Sequence, residues 1–205
     1  MIAADKADTR TRILLGALST VERLGMAKTS LEDVAQTAGV SRATIYRYFP
    51  GGRDEVVTET VTWEVQNFLT PMIDGLDGLD GIEAKFEEAL AVGHRAIGEH
   101  LLLQQLLSTE PQEIFRELAE IGPVLRDAIR GYIADELRRE VLRPGTDIDE
   151  AADYCARLYL SYLGSPGGHD LGDRVDVARI VSSQFLAGIL PAAHAERPSI
   201  ARSTP

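Results

Sequence analysis

Apolar residues return every three or four positions through most of this chain, the period of helices with one buried face. Ile13, Leu14, Ala17, Leu18, Val21 and Leu24 form the first such stripe. It predicts a helix that starts from a cap at Asp8 or Thr9 and stops at Gly25. Residues 1–7 read as a disordered tail, and Lys6 and Arg10 are either solvated or within reach of phosphates. Leu31, Val34, Ala35 and Ala38 make a second, shorter stripe, with Ser30 as its cap and Asp33 completing a capping-box pattern. Gly39 can take the positive φ that closes this helix, Val40 then turns inward, and Ser41 caps a third helix. On that helix Ile45 and Phe49 share the inner face. Three helices are enough to enclose a small core.

From Arg53 a fourth helix is expected to run to about Thr70 on Val56, Val57, Thr60, Val61, Phe68 and Leu69, with Pro71 ending it. It is the only covalent link between the first three helices and the rest. The Asp-Gly-Leu repeat over 74–81 lacks the ligand spacing and closing glutamate of a calcium loop and reads as a flexible linker. Residues 82–107 are helical on the stripe Phe86, Leu90, His94 and Ile97, interrupted around Gly98 to His100. Pro111 starts a short helix, and Gly122-Pro123 is expected to divide it from a longer one carrying Val124, Leu125, Ile129, Tyr132, Ile133 and Leu137. Two helices remain, 149–163 with Ala152, Cys155, Leu158, Tyr159 and Tyr162, and another with Val177, Ile180, Val181, Phe185, Ile189 and Leu190. Both are apolar over more than a stripe, which calls for burial on two sides. Residues 196–205 are expected to be disordered.

The fold class is therefore all-α. With 44% hydrophobic residues over 205, the chain can bury a substantial core. No run of about 18 apolar residues suggests a membrane span, and the first residues have no apolar signal region, so a cytoplasmic location is expected. Cys155 is the single cysteine and reads as a core residue, since no second cysteine could resolve an oxidised form.

A net charge of −11 argues at first against a polyanionic partner. Its distribution reverses that. From Thr9 to Arg53 seven basic residues face three acidic ones, whereas from Val61 onward 13 basic residues face 24 acidic ones. A basic end and an acidic body would orient the molecule on nucleic acid. The third helix leaves Arg42, Ala43, Thr44, Tyr46, Arg47 and Tyr48 outside its core-facing pair. Arginine can grip guanine O6 and N7, threonine can touch a base edge or thymine methyl, and tyrosine hydroxyls can bond phosphates. Lys28, Thr29 and Ser30 stand at the entrance of the second helix, where helix N-terminal donors can meet a phosphate.

The run from Ile13 through Gly25, the segment 29–40, and Ser41-Arg42-Ala43-Thr44-Ile45-Tyr46-Arg47-Tyr48-Phe49 together resemble the DNA-binding end of the tetracycline-repressor (TetR) family of bacterial regulators. About the first quarter of the chain carries the likeness. The resemblance implies an N-terminal helix-turn-helix domain over 1–52 and a C-terminal helical domain over 53–195 for effector binding and dimerisation. It further implies a homodimer formed through the last two helices, a palindromic double-stranded DNA operator, and a ligand-released repressor. Family members usually carry a lysine just after the aromatic pair, where it meets a phosphate. Here the sequence is Pro50-Gly51-Gly52-Arg53-Asp54, so Arg53 stands in its place after a loop one residue longer.

No catalytic constellation is present: His94 and His100 cannot share a helix face, and HExxH, GxSxG and the phosphate-cradling glycine motifs are absent. The chain is read as a non-enzyme without cofactor or metal. Trp63, Phe68, Phe86, His94, Tyr132, Tyr159 and Tyr162 lie on body helices, as candidates for a lipophilic effector's pocket or as plain core. The alternative function is a small-molecule sensor or sequestering protein whose helix-turn-helix no longer reads DNA.

Overall fold

The structure, a computed structural model, describes residues 2–191, with side chains from Asp8 onward. Lys6 and the expected disordered segment 196–205 lie outside the described side chains and residues. All regular elements among the described residues are helical: α1 (Ile2–Leu24), α2 (Leu31–Ala38), α3 (Arg42–Tyr48), α4 (Arg53–Leu76), α5 (Ile82–Glu99), α6 (Leu101–Thr109), α7 (Pro111–Leu137), α8 (Ile148–Gly164) and α9 (Arg174–Ile180), the last continued by a π-helical turn (Val181–Phe185). The first helix thus begins at Ile2 rather than at a cap on Asp8 or Thr9.

The chain packs as two compact units, the first Met1–Gly75 with Arg95–Leu125 and the second Leu76–His94 with Arg126–Pro205. In the first unit, Ile13, Leu14, Ala17, Leu31, Val34, Ala35, Ile45, Phe49 and Val56 form one core, with Trp63 packed at its edge. These are the residues the helical spacing selected. Gly16 lets α1 approach the end of α2, because a Cβ there would stand 2.8 Å from that of Ala38. A second core in the same unit joins Val21, Met26, Val57, Leu106 and Ile114.

Two prolines read as helix ends lie inside helices instead: Pro71 in α4 and Pro123 in α7. A proline removes one donor and orphans the carbonyl four residues earlier. Here Pro71 and Asn67, and likewise Pro123 and Ala119, are exposed, so water can reach the orphaned carbonyls. The 74–81 repeat is accordingly not all linker: its first three residues finish α4, and only the remainder forms a turn. The break at His100 occurs as expected. His100 caps α6 through Nδ1, which accepts from the Leu103 amide at 3.2 Å.

In the second unit Phe86, Leu90, Leu137, Ala152, Cys155, Tyr159, Val177, Ile180 and Phe185 are buried. Asp147 caps α8, accepting from the amides of Asp149 and Glu150. The last helix does not continue in α geometry to Leu190. The π turn, with Leu186 N–H bonded to Val181 O at 3.0 Å, inserts an extra residue per turn and keeps both Val181 and Phe185 inward. Cys155 is fully buried, and burial pushes its thiol up to about 12. Only the thiolate attacks, so iodoacetamide is expected to label Cys155 at the rate of global unfolding rather than at that of a free thiol, followed by mass shift with and without denaturant.

Candidate nucleic-acid interface

The turn between α2 and α3 is built by backbone chemistry. Ser30 accepts from the Asp33 amide at 3.2 Å, the expected cap, and donates to the Asp33 carboxylate at 2.5 Å, so that carboxylate meets the cap's hydroxyl. Gly39 takes φ 64°, ψ 39°, and the Val40 amide returns to Ala35 O at 3.0 Å, which closes α2. Arg12, from α1, donates to the carbonyls of Ala38 and Gly39 at 3.2 and 3.3 Å. Ser41 caps α3, accepting from the Thr44 amide at 3.1 Å and sharing a hydrogen bond with the Thr44 hydroxyl at 2.9 Å.

Ile45 and Phe49, each fully buried, anchor α3 from beneath. Arg10 lies over the Phe49 ring with its guanidinium carbon 4.9 Å from the centroid, and also pairs with Glu59 at 2.9 Å. That contact gives Arg10 a place in the packing. With those anchors inside, Arg42, Ala43, Tyr46 and Arg47 are exposed and Thr44 and Tyr48 half-buried. Arg47 rests over Tyr48 at 5.2 Å, and Tyr46 lies beside the turn at Gly52. Tyr48 also packs against the helix-turn-helix core, so Arg42, Thr44, Tyr46 and Arg47 are the polar side chains of the outer side of α3, with Ala43 among them.

At the entrance of α2 the expected donors divide. Lys28 is exposed. Thr29 is buried, and its hydroxyl is turned to Gly25 O at 2.8 Å, so its side chain serves the turn. Arg53 likewise works within the protein: Nε donates to Thr29 O at 2.8 Å, Nη2 to Met26 O at 2.6 Å and Nη1 to Asp54 at 2.9 Å. It fastens the start of α4 to the 26–29 turn. Glu110, between α6 and α7, also holds this turn, accepting from the Ala27 amide at 2.8 Å. Spacing did not reveal the roles of Arg12 and Glu110, because their partners lie between 26 and 83 residues away.

The body residues proposed for an effector fall in both units. Trp63 packs against the helix-turn-helix core, and Phe68 faces His100 with ring centroids 6.3 Å apart. In the second unit Phe86 stacks near Phe185 at 4.9 Å, and Tyr159 is buried with its hydroxyl bonded to Ala89 O at 3.2 Å. His94 is half-buried. Tyr132 keeps its hydroxyl buried without a hydrogen bond of normal geometry. An open groove of about 510 Å³ in the first unit is lined by polar residues, Thr58, Glu113, Arg116 and Glu117 among them, and by none of these aromatic residues. Among the described residues no cluster of metal-ligating side chains occurs, and no helix is long and apolar enough to cross a membrane.

A three-helix head with a capped glycine turn and an outer face carrying arginine, threonine and tyrosine defines a helix-turn-helix protein. Residues 13–60 match the model of bacterial regulatory proteins of the tetR family. It is 36% identical over 105 residues to an uncharacterized HTH-type transcriptional regulator of Mycobacterium tuberculosis, a match covering 51% of this chain and 53% of that protein. The chain thus spans about half the length of that relative. A second HTH-type regulator of the same organism is 26% identical over 188 residues, covering 92% of this chain and 85% of the other. The solved structure of the Rhodococcus erythropolis TetR-family repressor QsdR superposes with a TM-score of 0.59 at 16% identity, over 85% of this chain and 92% of that one, a likeness of fold.

Proposed function

We propose that this protein is a homodimeric transcriptional repressor that reads a palindromic operator with α3 and is released by a lipophilic small molecule. The observation that carries the reading is the α3 face, held outward by the burial of Ile45 and Phe49. In this reading residues 1–52 form the reader and 53–195 bind effector and pair through the last two helices. Two copies place their α3 helices in successive major grooves, about 34 to 36 Å apart. Lys28 and Arg47 supply cations for phosphate, and the acidic body keeps itself off the duplex.

His94 and the Tyr132 hydroxyl are the polar tips offered to an effector among the aromatic candidates, and the Tyr132 oxygen, buried without a hydrogen bond of normal geometry, supports that part. An effector that prefers another packing of the body shifts α4 and spoils the groove spacing. Tenfold release needs only about 1.4 kcal/mol of differential binding.

Gel shifts at fixed salt test the reading. Tyr46→Phe and Arg47→Ala are expected to weaken binding to every duplex, whereas Arg42→Ala and Thr44→Ala are expected to change which bases are preferred. Undiminished binding in all four variants would remove α3 from the groove.

A further inference from the structure

Arg42 and Glu32 form an ion pair across the two helix starts, Arg42 as the first residue of α3 and Glu32 as the second of α2, through Nη1 and Oε1. Both side chains are more than half exposed, 52% and 61%, so the pair adds little to stability. Its place on the surface is what matters. A carboxylate beside the phosphate-facing entrance of α2 weakens attraction to DNA unless it does something for recognition. Asp33, its acidic neighbour, is already occupied as the partner of Ser30.

Resting on the DNA-reading proposal above, we propose that Glu32 is a positioning residue for base recognition: it holds Arg42 by Nη1 so that the opposite edge of the guanidinium meets one guanine. A guanidinium presents two forked edges, and the Nε–Nη2 edge of Arg42 makes no hydrogen bond to the described residues. That edge matches guanine O6 and N7, and the N-terminal end of a recognition helix is the end that meets base edges. Fixing the other edge in advance removes rotamer freedom that would otherwise be lost on binding. The neighbouring arginines are used differently. Arg12 and Arg53 are spent on backbone carbonyls, and Arg10 lies over Phe49, which leaves Arg42 as the guanidinium braced by a carboxylate of α2.

The test uses the duplex that the full-length wild-type protein selects from a random pool. Affinities are measured at one salt concentration for wild type, Glu32→Gln, Arg42→Ala and the double variant, on that duplex, on each single base-pair substitution of it and on an unrelated duplex. Glu32→Gln is expected to lose about tenfold discrimination at one G·C pair, the pair at which Arg42→Ala also loses it. The same variant binds the unrelated duplex more tightly, because a negative charge has left the phosphate-facing surface. A merely structural role would lower both affinities together. In the Arg42→Ala background the glutamate substitution adds nothing at that pair. Unchanged discrimination in Glu32→Gln, or an effect that persists without Arg42 as if Glu32 read cytosine itself, overturns the inference and leaves the DNA-reading proposal standing. Failure of the wild type to select any duplex overturns both.

Discussion

Phe49→Ala is expected to destabilise the helix-turn-helix by about 3–5 kcal/mol and to abolish duplex binding with it. The ring is fully buried among Ile13, Leu14, Leu31, Val34 and Ile45, residues from all three helices, so no single helix can close the void. The loss also removes the surface under the Arg10 guanidinium, 4.9 Å from the ring centroid. Phe49 ends α3, its amide bonded to Ile45 O at 2.8 Å, and it therefore sets the angle at which the outer face is shown. A denaturant titration followed by helical ellipticity measures the stability change, and a loss below about 1 kcal/mol would mean that the site collapses around the missing ring.

The second large effect concerns the other unit. Lys85 on α5 and Glu136 on α7 meet at 2.7 Å with each side chain only 8% exposed. Glu136→Ala leaves the Lys85 ammonium buried without its partner, and a loss of about 3–5 kcal/mol is expected. Replacing both by apolar residues of similar size, Lys85→Met with Glu136→Leu, is expected to recover most of it, since the pair itself adds little once its desolvation is counted. Burial by itself lowers the affinity of Lys85 for its proton, but the hydrogen bond to Glu136 and the nearby negative charge outweigh it, and the pKa lies above the ordinary lysine value. A raised pKa means stability that is whole below the unfolded value and lost as pH rises through the folded one. The contribution is therefore intact at neutral pH and disappears only in strong alkali. Thermal midpoints of the single and double variants at pH 7 check the first point, and a wild-type midpoint that already falls between pH 7 and 9 through this pair would contradict the second.

Much of the reader was legible before any fold was in view. The caps at Ser30 and Ser41 and the glycine at 39 act through contacts within about one helical turn, and the four-residue spacing of Ile45 and Phe49 marks a shared inner face, so spacing carries their meaning. The body was legible as a set of helices but not in its joints. Pro71 and Pro123 carry the same signal whether they end a helix or sit on its wet side, and only the packing of neighbouring residues says which carbonyl can reach water.

What the amino-acid order determined alone is the existence, type and inner face of the short-range elements, the basic reader and the acidic body. What tertiary structure decided is how the long polar side chains are spent. Thr29 and Arg53 carry donors suited to a phosphate, yet the folded chain directs them to its own carbonyls at Gly25, Met26 and Thr29. Arg42 meets Glu32, and Lys85 meets Glu136, 51 residues away. The reason is one of reach: a cap or a helical stripe is settled by neighbours a few residues along the chain, whereas a flexible charged side chain takes whichever partner the packing of distant segments brings beside it.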